Sequence, residues 1–210
     1  MTQNDKTRPL AAGITELGLT LPTGAVALLS AYIDVLHAWN QRYNLTAVRE
    51  PGQMVSRHVL DSLSVAPFLH GHSILDVGSG AGLPGIPLAV AFPERRFVLL
   101  DSNGKKFRFL THAVTVLGLK NAEVVQMRAE DYRPTEGFAT VICRALTSLA
   151  DFLGWTSHLG VPGGRWLAMK GAHPEAELQQ LPAAFRLVAV HPLKVPGLDA
   201  QRCVVEIEKV

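Results

Sequence analysis

The sequence predicts an α/β protein: a doubly wound, Rossmann-like sheet with a C-terminal antiparallel strand, preceded by an N-terminal helical extension. Three observations predict it. From Ser73 onward, short apolar runs of strand character alternate with helical stretches, the pattern of parallel strands joined by crossover helices. The last two apolar runs, 185–191 and 202–208, are separated by Pro192, Pro196 and Gly197 with no helix between them. Such a pair is most simply antiparallel, and an antiparallel strand on a parallel sheet is allowed. Residues 1–72 carry helical patterning instead. The expected organisation is therefore a helical extension over 1–72 and a Rossmann-like domain over 73–210, together one compact unit.

Each element has its own signal. After Pro22, Thr23 is placed to cap a helix whose apolar face is Leu28, Leu29, Tyr32, Val35, Leu36, Trp39 and Tyr43. The aromatic members follow helical spacing, which favours a core role over a base-stacking platform. A further helix starts near Pro51 and carries Met54, Val55, Val59, Leu60 and Leu63. Strands are expected at 73–77, 96–101, 122–127, 138–143 and 164–169. Helices are expected at 84–92, 104–118, 148–158 and 174–183.

Composition bounds the function. The chain has 210 residues, 48% hydrophobic and 18% charged, which favours a buried core over disorder. A net charge of +2 is weak, so any nucleic-acid contact must come from a local patch. Cys143 and Cys203 have no metal-ligand spacing and read as free thiols of a reducing cytosol; His70 and His72 do not suggest a metal site either. The start, Met1 to Lys6, lacks an apolar h-region, and no apolar stretch is long enough to span a bilayer. A cytoplasmic protein without membrane or metal is expected, with a monomer as the default.

The most informative segment runs from Ile74 to Gly85. A buried apolar run ends in Asp76-Val77 and opens into Gly78-Ser79-Gly80-Ala81-Gly82-Leu83-Pro84-Gly85. Glycines there let backbone N–H groups approach a small ligand. A dinucleotide fingerprint requires Gly-x-Gly-x-x-Gly, but the third position is Leu83 and the extra glycine falls at Gly82. That counts against a nicotinamide dinucleotide and favours S-adenosylmethionine, which has no pyrophosphate. Asp101 follows the second strand, at the distance expected of a carboxylate that holds a ribose. Alone it could equally cap the next helix; the upstream glycines tip the balance toward ribose. Ala129, Glu130 and Asp131 follow the third strand at the same sheet edge. They suit adenine recognition by a backbone N–H and an acidic acceptor, or serve only as macrodipole partners.

Arg144 directly follows the fourth strand, where an unpaired guanidinium is costly. It could pair with a carboxylate, the cofactor or an RNA phosphate. Lys105, Lys106 and Arg108 open the helix after Asp101, although cations at a helix N-terminus oppose the macrodipole by roughly 0.3–1 kcal/mol each. A phosphate-contacting patch explains the choice; a solvated charged face is the plainer alternative. Arg57 and His58 lie in the helical extension near Asn44-Leu45-Thr46.

Taken together, these residues resemble the family of bacterial small-subunit rRNA methyltransferase G, also called glucose-inhibited division protein B. The resemblance rests on Trp39-Asn40, Asn44-Leu45-Thr46, Arg57-His58-x-Leu60-Asp61-Ser62, Asp76 to Gly85, Leu100-Asp101-Ser102-x-x-Lys105, Arg144-Ala145 with Ser148-Leu149, and Lys170-Gly171. It implies a class I S-adenosylmethionine-dependent methyltransferase fold and methyl transfer to N7 of a guanine in a 16S rRNA loop near the decoding site. The expected cofactor residues are Gly78, Gly80, Leu83, Asp101, Ala129, Glu130 and Arg144. The rRNA-binding candidates are Arg57, His58, Lys105, Lys106, Arg108 and Lys170. The expected partner is 16S rRNA within a 30S subunit or an assembly intermediate. No catalytic base is expected, because guanine N7 has an in-plane lone pair and carries no proton; Arg144 could serve orientation. Two departures stand out: Lys106 replaces a common arginine and Ala81 a frequent proline. The competing readings are an NAD-dependent oxidoreductase and a non-catalytic RNA-binding or assembly protein.

Overall fold

The computed structural model describes residues 3–145 and 147–210, the first three of them as backbone only. Helices α1 (Gln3–Glu16) and α2 (Ala25–Tyr43) come first. A continuous helical rod follows: α3 (Pro51–Met54), a π-helical segment (Val55–Leu60) and α4 (Asp61–Leu63). The sheet portion then alternates as expected. Its elements are β1 (Ser73–Val77), α5 (Gly85–Ala91), β2 (Arg96–Leu100), α6 (Gly104–Leu117), β3 (Ala122–Val125), β4 (Phe138–Arg144), α7 (Leu149–Thr156), β5 (Gly160–Lys170), α8 (Glu175–Leu178), β6 (Phe185–Pro192) and β7 (Cys203–Lys209).

The strand order is β3-β2-β1-β4-β5-β7-β6. Strands β1 to β5 pair in parallel, and β7 is antiparallel to both β5 and β6. The last two strands are therefore antiparallel neighbours, with β7 inserted between β5 and β6. The order reverses at β1, where β2 leaves on one side and β4 on the other. A crevice for a ligand opens at the carboxyl ends of strands at such a point.

Side-chain alternation along the strands divides the core into two layers. Ile74, Phe97, Leu99, Ile142 and Leu167 face one way and pack with Leu29, Tyr32, Ile33, Leu36, Val59 and Leu63 of the N-terminal helices. Leu75, Val98, Leu100, Val141 and Trp166 face the other way, against Leu149, Phe152 and Leu153 of α7. The helical extension thus covers one face of the sheet and shares a core with it.

Several expected boundaries move. Thr23 does not cap α2; Gly24 occupies that position with φ 85° and no side-chain cap. The Ala25 amide donates to the Pro22 carbonyl, so a glycine-dependent turn starts the helix instead. The helix expected over 174–183 closes after Leu178, short of Pro182, which cannot continue a helical ladder. Strand β5 begins at Gly160, before a register shift opposite Phe138 and Thr140. No described helix is long and apolar enough to cross a membrane.

Candidate functional site

Four loops at the carboxyl ends of β1 to β4 enclose a cavity of about 570 Å³, within the usual ~300–1,000 Å³ of small-molecule sites. Gly78, Gly80, Leu83, Asp101, Ala129, Glu130 and Arg144 all line it. Each lies at or shortly after a strand end, and a parallel sheet brings those ends to one edge.

The glycine turn forms the floor. Gly78, Gly80 and Gly82 have φ of 68°, 59° and 81°, a region where an L side chain is strained. Beneath the turn, Asp76 is completely buried, and its Oδ2 accepts the Gly85 amide at 2.9 Å, at the start of α5. Its Oδ1 is buried with no hydrogen-bond partner. Burial raises the Asp76 pKa to about 7, against the lowering effects of the Gly85 amide and Arg144. On sequence, Asp76 is only an acidic residue within the expected strand 73–77, and its buried role is visible only in the fold.

Asp101 is only 6% exposed and is shaped to receive hydroxyl groups. Its Oδ2 accepts the Gly80 amide and its Oδ1 accepts the Asn103 amide, both at 2.9 Å. A carboxylate offers about four lone-pair positions, so two remain for ribose hydroxyls. Asn103, not Asp101, caps α6, accepting from the Lys105 and Lys106 amides. The residues present therefore fit S-adenosylmethionine: a buried carboxylate with acceptor positions to spare, a glycine turn that permits close backbone approach, and a loop at Ala129-Glu130, all facing one cavity.

The basic candidates separate into groups. Lys106 lines the cavity, with Nζ 3.7 Å from Asp101 Oδ2. The Lys105 amine donates to the Tyr43 carbonyl at 2.9 Å, tying α6 to the end of α2. Arg108 is exposed on α6, and neither it nor Lys105 lines the cavity. Arg57, His58 and Lys170 lie together at a second, adjoining cavity. Lys170 donates to both oxygens of Glu177 and to the Thr147 carbonyl. His58 is buried between the Thr46 hydroxyl and the Arg57 carbonyl. Burial, and then Arg144, lower its pKa to about 4, so the ring is neutral near pH 7. Among the cysteines, Cys143 and Cys203 are both free and buried.

Arg144 stands at the wall between the two cavities and lines both. Its guanidinium donates to Asp61 Oδ2 at 2.9 Å and to the Arg57 carbonyl at 3.2 Å. Of the three partners open to it on sequence, the carboxylate is therefore filled by Asp61. The next residue, Ala145, has φ 51°, which is uncommon for a residue with a side chain and recurs at functional sites. Leu45 and Thr46 also line the first cavity, delivered by Asn44, whose left-handed conformation ends α2. Asp61, Ala145 and the Leu45-Thr46 lining carry no local sequence pattern that marks a site; the fold alone brings them to the cavities.

A family model described as rRNA small subunit methyltransferase G matches residues 25–205. The chain belongs to the rRNA small subunit methyltransferase G family. A family member from Ectopseudomonas mendocina (strain ymp) is 57% identical over 195 residues, covering 92% of this chain and 91% of its own. Another, from Pseudomonas aeruginosa (strain LESB58), is 55% identical over 194 residues, covering 92% and 91%. Both carry the name "Ribosomal RNA small subunit methyltransferase G". Among solved structures, the glycopeptide N-methyltransferase MtfA complexed with S-adenosyl-L-homocysteine aligns with a TM-score of 0.63 at 11% identity. The alignment covers 73% of this chain and 87% of that one. A SAM-dependent methyltransferase from Aquifex aeolicus aligns with a TM-score of 0.57 at 18% identity, covering 74% and 92%. At these identities the likeness shows the fold alone, that of a class I methyltransferase with an added N-terminal helical part.

Proposed function

We propose that this chain transfers a methyl group from S-adenosylmethionine to N7 of a guanine in a 16S rRNA loop near the decoding site. One observation carries the reading. In a member of this family, the glycine turn, the buried Asp101 and the Ala129-Glu130 loop converge on one cavity at the strand-order reversal. S-adenosylmethionine, when bound, supplies an electrophilic sulfonium methyl group. The chain's own residues hold and aim: Asp101 accepts the ribose hydroxyls, Gly78 to Leu83 give close backbone approach, and Arg144 forms the wall beside the incoming base.

Guanine N7 carries no proton, so the reaction asks for alignment rather than for a base. Holding nucleophile, carbon and leaving sulfur in line can supply as much as ~7–11 kcal/mol. Acceptor groups at the mouth would stabilise the cationic product base. The substrate is RNA folded in a 30S subunit or an assembly intermediate, because a net charge of +2 gives little general affinity for a polyanion. Read as an rRNA-modifying enzyme, the protein acts in the cytoplasm, with a monomer as the simplest state.

The test combines binding and transfer. S-adenosylhomocysteine should raise the melting temperature and NAD should leave it unchanged. Labelled S-adenosylmethionine should then label 16S rRNA from a strain lacking the enzyme. Stabilisation by S-adenosylhomocysteine without transfer to rRNA in any form would favour a non-catalytic assembly role.

A further inference from the structure

Behind Arg144 lies a second cavity of about 340 Å³. Four cationic side chains reach it, Arg57, Arg144, Lys170 and Arg202, and only one of its lining residues, Asp61, is acidic. Asp61 is 2% exposed and accepts from two arginines at once: Arg144 on Oδ2 at 2.9 Å and Arg202 on Oδ1 at 3.0 Å. A second carboxylate, Glu177, is taken up by Lys170. His58 adds no charge near neutral pH. The cavity therefore keeps an excess of positive charge, and among the described residues none pairs with the exposed Arg57 guanidinium.

The placement is as informative as the charge. Arg202 begins the approach to β7, Arg144 ends β4, Arg57 sits on the π-helical segment and Asp61 opens α4. Elements distant in the chain are drawn together by one buried carboxylate. A buried charge is costly unless it is paired, and Asp61 is paired twice. What that arrangement fixes is the direction of two planar guanidinium groups, the geometry suited to phosphate oxygens.

We propose that this cavity seats a backbone phosphate of the RNA strand that presents the target base, gripped by Arg202 and Arg57, with Asp61 as the positioning residue for Arg202 and Arg144. The proposal rests on the reading that the chain acts on rRNA. It adds a site for the strand beside the site for the cofactor.

The test compares wild type, Arg202→Gln, Arg202→Lys and Arg57→Gln, with 16S rRNA as the probe, both deproteinised and within the 30S subunit. Arg202 does not line the cofactor cavity, so Arg202→Gln should leave S-adenosylhomocysteine affinity within about twofold of wild type. Its RNA affinity should fall at least tenfold. Its slope of log affinity against log salt should shrink by about 0.7–0.9, the loss of one phosphate contact. Arg202→Lys keeps the charge and should restore the slope. Arg57 is exposed, so Arg57→Gln supplies the same test if Arg202→Gln folds poorly, and it too should lower the slope. If wild type labels rRNA while both glutamine variants keep affinity and slope, the phosphate seat is overturned alone. If wild type neither binds nor labels rRNA, whether deproteinised or within the 30S subunit, the RNA reading and the phosphate seat fall together.

Discussion

The hydroxyl of Tyr32 donates a 2.6 Å hydrogen bond to the carbonyl of Ala81. Tyr32 belongs to α2 and is fully buried, while Ala81 lies in the middle of the glycine turn. One bond thus fastens the helical extension to the loop that forms the floor of the cavity. Desolvation by burial, the largest influence, raises the Tyr32 pKa, so the phenol stays a donor.

Removing that hydroxyl should loosen the turn. Tyr32→Phe leaves a buried carbonyl without its donor, and the net loss is about 1 kcal/mol. Calorimetry should show S-adenosylhomocysteine binding weakened about fivefold. Unchanged affinity would mean that the turn is set by its glycines alone.

Asp101 should matter far more to the cofactor. Asp101→Ala removes both ribose acceptors and the partner of the Gly80 amide. Charge-assisted hydrogen bonds contribute roughly 1.5–3 kcal/mol each, so S-adenosylhomocysteine affinity should fall at least about 100-fold. A titration showing an intact dissociation constant would remove Asp101 from the ribose site.

The cavity was legible because its parts are written in short contiguous stretches. Each candidate cofactor residue follows an apolar strand run, and topology alone carries those ends to one edge. The Asp61 clamp was not legible in the same way. Its arginines lie 83 and 141 residues away, a distance no local pattern reports. The π-helical segment escaped notice for a different reason. Apolar spacing at Val55, Val59 and Leu60 fits an ordinary helix, whereas the Asp61 amide donates to the His58 and Ser56 carbonyls. Thr23 misled because a good capping residue loses to a glycine that can turn the chain.

Two buried groups should tilt stability with pH in opposite directions. The Asp76 pKa rises from 3.8 to about 7 on folding. Between those values the native state keeps a proton that the unfolded chain has lost, so stability falls as pH rises. The His58 pKa drops from 6.5 to about 4. Between those values the unfolded chain holds a proton that the native state excludes, so stability rises with pH. Relative to wild type, Asp76→Asn should therefore gain stability as pH rises from 4 to 8, and His58→Gln should lose it from 4 to 6.5. Melting curves that run parallel to wild type over these windows would contradict the assignment.

Gly85 should tolerate no side chain. A Cβ there would lie 2.2 Å from Leu99 Cδ2 and 2.6 Å from Asp76 Oδ2. Gly85→Ala must displace the buried carboxylate that caps α5, so a destabilisation of roughly 1–3 kcal/mol is expected from overpacking. Chemical denaturation measures it directly. A change below about 0.5 kcal/mol would show that the Asp76 side chain moves freely.

The most direct measurement is a crystal structure with S-adenosylhomocysteine bound. The ribose hydroxyls should lie within hydrogen-bond distance of Asp101, the adenine against Ala129 and Glu130, and the sulfur should point toward the wall formed by Arg144. Nucleoside density anywhere other than this rim of the sheet, or a ribose out of reach of Asp101, would contradict the account.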